Sequence, residues 1–143
     1  MAFKLNMSDN GKAWRLESGA EFLVGLSVGE KFEGKELGND YEGYEFEITG
    51  GSDISGFPLS KDVEGIGIRK VLLAKGWGMR AKREGVRLRK SLRGKTISDK
   101  VVQVNIKVLK SGKKAMSEIF PEQNKAVEVK VEGAEEKVEA VVQ

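Results

Sequence analysis

Val102, Val104, Ile106 and Val108 recur at every second residue, with Gln103, Asn105 and Lys107 between them. Side chains of an extended chain point alternately to opposite sides, so this spacing gathers the four on one face of a strand. A helix would scatter them around its circumference. The same period returns three times nearer the N-terminus. Phe3, Leu5 and Met7 alternate with Lys4, Asn6 and Ser8; Trp14 and Leu16 alternate with Ala13, Arg15 and Glu17; Tyr44, Phe46 and Ile48 alternate with Glu45, Glu47 and Thr49. Strands with one apolar and one polar face must be packed by that apolar face, which makes the chain mainly β. Asp9-Asn10-Gly11 tolerates positive φ and predicts a turn, closing residues 2–17 into a hairpin. Helix is confined to short pieces, such as one or two turns from Met116 to Phe120 halted by Pro121. With eighteen glycines among these short strands, the expected architecture is a small β-barrel-like single domain with short helices.

At 143 residues the chain suits one domain that needs no covalent staples. Residues 1–125 are expected to form the domain. Residues 126–143 hold five acids and two bases and are expected to be a flexible acidic tail, although Val127, Val129 and Val131 alternate as a strand would. The sequence has neither Cys nor His, which removes the ordinary ligands of zinc, haem and iron–sulfur centres along with thiol and imidazole catalysis. No metal or cofactor is expected. MAFKLNMSDNGK lacks the apolar core of a signal peptide, and runs such as Val71-Leu72-Leu73-Ala74 are too short to span a bilayer. A cytoplasmic protein without a membrane partner is the expectation.

Charge is segregated along the chain. From Arg69 to Lys100 there are twelve Lys or Arg against only Glu84 and Asp99, a local +10 in a protein of net +3. Residues 1–68 hold six bases and thirteen acids, and residues 101–143 hold seven of each. A block of like charge repels itself and gains by neutralising phosphates, where each contact releases condensed counterions; a merely solvated face would interleave acids with bases. The acidic part is therefore read as the body and the basic part, narrowed to residues 75–95, as a glycine-punctuated extension that reaches RNA. Gly76, Gly78, Gly85 and Gly94 let backbone approach a phosphate. Arg80, Arg83, Arg87, Arg89 and Arg93 offer planar forks for phosphate oxygens or unstacked bases, while Lys75, Lys82, Lys90 and Lys95 add point charge. Val86 and Leu88 alternate with Arg87 and Arg89, as in a strand with one face on the core and one on RNA. Trp77 has two readings: stacking on a splayed base, or folding back over the core.

Enzymatic and nucleotide-binding motifs fail on inspection. Gly29 to Lys35 has the glycine spacing of a phosphate-binding loop, but Glu36 stands where Ser or Thr must reach magnesium; Gly94-Lys95-Thr96 has the right ending, but Arg89 stands where the first glycine is needed. Glu45 and Glu47 fall on the solvent face of a strand. Asn6-Met7-Ser8 matches a glycosylation acceptor without a secretory signal to accompany it. Ile48 to Pro58, with Gly50-Gly51 and Asp53, reads as a turn after a strand, with Ser and Asp capping backbone amides and Phe57 plugging the barrel end. An anion-binding nest there is disfavoured, since no Lys or Arg lies between Lys35 and Lys61.

Four ordered blocks point further: GYEFEITGGSDISGFPLSKDV from Gly43, KVLLAKGWGMR, GVRLRKSLRGKTIS and VVQVNIKVLKSG, preceded by FKLNMSD at Phe3. Together they resemble the archaeal form of the S6e family of small-subunit ribosomal proteins, over about residues 2–112. The resemblance implies a β-rich, barrel-like domain seated on small-subunit ribosomal RNA. It implies RNA contacts for Arg80 in KGWGMR, Arg87, Arg89 and Lys90 in VRLRKS, and Arg93 in LRGKTIS. Eukaryotic relatives add a long basic helix with a phosphorylated serine cluster; the acidic end of this sequence matches nothing of the kind, so no phosphorylation role is carried over. The expected function is a non-enzymatic constituent of the small ribosomal subunit, monomeric when free, with ribosomal RNA and neighbouring ribosomal proteins as partners and no small-molecule substrate. The alternative is a free-standing RNA- or DNA-binding β-barrel module related to translation factors.

Overall fold

The computed structural model describes residues 2–124; the expected acidic tail lies outside the described residues. β1 (Phe3–Asp9) and β2 (Lys12–Ser18) form the expected hairpin, with Asp9 opposite Lys12. Asn10 and Gly11 take φ of 45° and 79°, the left-handed pair that a two-residue turn matched to strand twist requires. β3 (Lys31–Glu33), β4 (Glu45–Asp53) and the longer β7 (Val101–Lys110) complete a sheet of order β2-β1-β7-β4-β3. β1 and β7 run parallel, Leu5 beside Val104, and the other neighbours are antiparallel. A single helical turn, α1 (Met116–Ile119), precedes Pro121 as the sequence indicates.

The alternating sets land as their period demands except at the start of β7, where a register shift against β4 leaves Val102 half-buried and puts Val101 in the core instead. Phe3, Leu5 and Met7 of β1, Phe46 and Ile48 of β4, and Val104, Ile106 and Val108 of β7 are all buried in one cluster with Trp14, Leu23, Phe32 and Ile97. The expected barrel does not close: among the described residues the ladder ends at β2 on one side and β3 on the other. The β2 edge is blunted rather than bare. The Gln123 amide accepts from the Arg15 N–H at 2.7 Å and donates to the Arg15 carbonyl at 2.7 Å, occupying the pair that a further strand would use.

Gly50 and Gly51 lie inside β4, not in a turn after it, opposite Asn105 and Val104. A Cβ at Gly51 would run into the Gln103 carbonyl oxygen. The turn starts only beyond Asp53, and Leu59 rather than half-buried Phe57 reaches the core. Between β4 and β7 the chain forms a separate two-stranded ribbon of β5 (Ile68–Leu73) and β6 (Leu88–Arg93), paired from Ile68↔Arg93 to Leu73↔Leu88. This ribbon, with the residues 74–87 that join its strands, is the arm on which the basic segment rides.

Candidate nucleic-acid interface

The base of the arm is held by a buried ion pair. Arg93, 6% exposed, donates from Nε to Asp53 Oδ2 at 2.7 Å and from Nη1 to the Ile66 carbonyl at 3.0 Å. Asp53 also accepts from the Phe57 N–H at 2.8 Å. Burial by itself would raise the Asp53 carboxyl, but the Arg93 hydrogen bond, the Phe57 N–H, the Arg93 charge and the Ser55 N–H together hold it below the usual carboxylate range. Arg93 backbone bonds to Pro58 and Ser60 tie the same point to the loop after β4. Gly94 follows because nothing larger fits: a Cβ there would strike the Gly65 carbonyl oxygen.

Two sequence expectations are corrected here. Arg93, assigned to RNA, spends its guanidinium inside the protein. Gly94, assigned to phosphate approach, is buried against the chain's own backbone. Both errors come from reading the segment as uniformly outside, when its C-terminal end is already part of the body. Lys95 is likewise half-buried, with Nζ 3.7 Å from Glu64 Oε1 and its backbone bonded to Val28 and Val63.

The remaining predicted residues are brought together on the arm. Lys75, Arg80, Lys82, Arg83 and Arg87 lie in the connecting segment, Arg89 and Lys90 on β6, and all are exposed. Trp77 stands 59% exposed in a tight turn, where Gly76 N–H bonds to the Met79 carbonyl at 3.3 Å and Met79 N–H to the Gly76 carbonyl at 3.2 Å. Trp77 therefore does not fold back over the core.

Directly paired residues share a face of a ribbon. Lys70 and Arg89 belong to one face with Leu72 and Ser91; Arg69 and Lys90 belong to the other with Val71 and Leu73. The expectation that one face packs on the core and one faces outward fails beyond the base, where Leu92 is buried on the Leu88 face but outside the main core cluster. Leu72 is 57% and Leu88 48% exposed, and they lie on opposite faces. Arg69 and Lys70, outside the 75–95 segment that the sequence singles out, lie on β5 and are exposed among the other cations. Pairing KVLL with RLRK would have placed them there.

Nine exposed cations thus surround the arm: Arg69, Lys70, Lys75, Arg80, Lys82, Arg83, Arg87, Arg89 and Lys90. The ion pairs among the described residues use Arg93, Lys95, Lys110, Lys113 and Lys114 instead. Those residues include no group of His, Cys, Asp or Glu side chains able to hold a metal ion, and no helix long and apolar enough to cross a membrane.

The family model described as Ribosomal protein S6e matches residues 1–121, which takes in the whole sheet and the arm. The chain belongs to the ribosomal protein S6e family. It is 42% identical over 123 residues to the small ribosomal subunit protein eS6 of Methanothermobacter thermautotrophicus, covering 84% of this chain and 96% of that one. The protein of the same name from Methanosphaera stadtmanae is 41% identical over 125 residues, covering 85% and 95%. That from Methanocaldococcus jannaschii is 42% identical over 110 residues, covering 77% and 82%. The S6e family is one of ribosomal proteins and not of enzymes, in keeping with the failed catalytic motifs. Asp53, Arg93 and the nine arm cations all fall within the part matched to S6e.

Proposed function

We propose that this chain is a structural constituent of the small ribosomal subunit, in the cytoplasm, and that it binds ribosomal RNA through the β5–β6 arm and its tip. The observation that carries the reading is the set of nine exposed arm cations outside the ion pairs found among the described residues, on a ribbon charged on both faces. A surface cationic on one side suits a single flat partner. Charge around the whole ribbon suits insertion where RNA backbones crowd together. The names of the archaeal relatives support the subunit, and family membership supports ribosomal RNA and neighbouring ribosomal proteins as partners.

Recognition rests on phosphates, 2′-hydroxyls and RNA shape, because the major groove of A-form RNA is too deep and narrow for side chains to read. The buried Asp53–Arg93 pair ties the end of β6 to the end of β4 at the base of the arm. Affinity then depends steeply on salt. Each neutralised phosphate contributes about −0.9 to the slope of log K against log salt on a duplex, so engaging most of the nine cations gives about −6 to −8. A flat salt response would remove the electrostatic mechanism. Sucrose-gradient sedimentation of a native lysate tests the assignment itself: near-stoichiometric presence in small subunits at moderate salt is expected, and absence from them overturns it.

A further inference from the structure

Met79 is 3% exposed, yet it sits in the arm and outside the main core cluster. What surrounds it is a depression of about 400 Å³ between the tip and the end of the ribbon. Met79, Ala81, Val86 and Leu88 supply its apolar wall, and little polar surface faces into it. Arg80, Lys82, Arg83 and Lys90 also line it, all exposed, and among the described residues no acid does. Phosphate binding needs neither concavity nor a carbon lining. A flat cationic surface would serve, so these features call for an apolar occupant attached to an anion.

Resting on the reading of the arm as an RNA-binding element, we infer that this depression takes one unpaired nucleotide, its base against Met79, Ala81, Val86 and Leu88. Its 5′ and 3′ phosphates meet the four cations. A base within a duplex has both faces stacked and cannot enter; an unpaired one carries an apolar face and its own flanking charge. The volume lies within the roughly 300–1,000 Å³ typical of small-ligand pockets. Trp77 does not line the depression, so this site is separate from any stacking at the apex of the turn.

The test uses the full chain and two RNA hairpins, one fully paired and one with a single bulged 2-aminopurine. The wild type is expected to bind the bulged hairpin about 10-fold more tightly, with rising fluorescence as the base leaves the RNA stack. Ala81→Phe fills the depression without changing charge and should make the two affinities equal while the salt slope stays as it was. Leu88→Ser, at a position already half in solvent, should reduce the preference even if Ala81→Phe folds poorly. Equal binding of both hairpins by the wild type, with a steep salt slope, would overturn the nucleotide site and leave the RNA-binding reading standing. Salt-insensitive or absent binding of both would overturn that reading and the site with it. If Ala81→Phe instead abolishes binding of a leucine-containing acidic peptide and leaves the bulge preference intact, the depression takes a protein side chain and the inference is wrong.

Discussion

Arg89 and Arg93 are four residues apart on the same strand and on the same face of the ribbon, yet they do opposite work. Arg89 is in solvent; Arg93 is closed over Asp53. Removing one partner of a buried pair leaves the other charge desolvated, a loss of about 3–5 kcal/mol. Arg93→Met is therefore expected to lower the urea midpoint strongly at pH 7, whereas Arg89→Gln should change stability by less than about 0.5 kcal/mol. The sign of the pH dependence separates this account from simple loss of packing. In the wild type the Asp53 carboxyl is depressed, so its contribution is present above the unfolded value and lost as pH falls through the lower folded one. In Arg93→Met the same carboxyl is buried without its cation, its pKa rises, and protonation relieves the penalty. The stability gap between the two proteins should narrow from pH 7 to pH 4, and a gap that stays constant would show that the pair is not its source.

At the scale of elements, the sheet strands and the arm differ in how they are supported. β1 and β7 each have a neighbour on both sides and a face in the core, while β5 and β6 have only each other and expose side chains on both faces. A two-stranded ribbon covered only towards its base, where Leu92 is buried, is marginal in water. Amides of β5, β6 and the intervening residues 74–87 are expected to exchange faster than those of β1 and β7 in the free protein, and to slow when RNA binds. Slow exchange throughout the arm in RNA-free protein would contradict this. Of the strand alternation expected from Val86 to Arg89, only Leu88 and Arg89 lie in a strand, since β6 begins at Leu88. The partner of β6 and what its apolar residues touch were not legible in the sequence, because periodicity reports that a strand has two faces and says nothing of what covers them.

For the whole molecule, an acidic body of thirteen acids against six bases in residues 1–68 would be repelled by RNA, and the arm carries the compensating charge away from it. Changing Arg87, Arg89 and Lys90 together to Gln should reduce the magnitude of the salt slope by about 2–3 and weaken RNA binding, with the melting temperature nearly unchanged. Loss of the fold in that variant would mean the arm is part of the core after all. Arg93 is left out of the set because its removal would report on stability and affinity at once.

The chain's alternating residues by themselves determined the β class, the first hairpin and the faces of β1, of β4 and of β7 from Val104 onward, since those follow from local stereochemistry and a period of two. The four ordered blocks likewise determined the family, and uneven charge singled out the segment proposed to meet RNA. Tertiary structure decided three other things. It left the sheet open where a barrel was expected, separated Arg93 from the cations it sits among, and joined Met79, Val86 and Leu88 around one depression. The first two depend on contacts between distant segments, Asp53 being 40 residues from Arg93, and the third on how the chain folds between Met79 and Leu88. No local pattern of residue types records which of two exposed-looking arginines will meet a buried carboxylate, because that is set by how β4 and β6 come together.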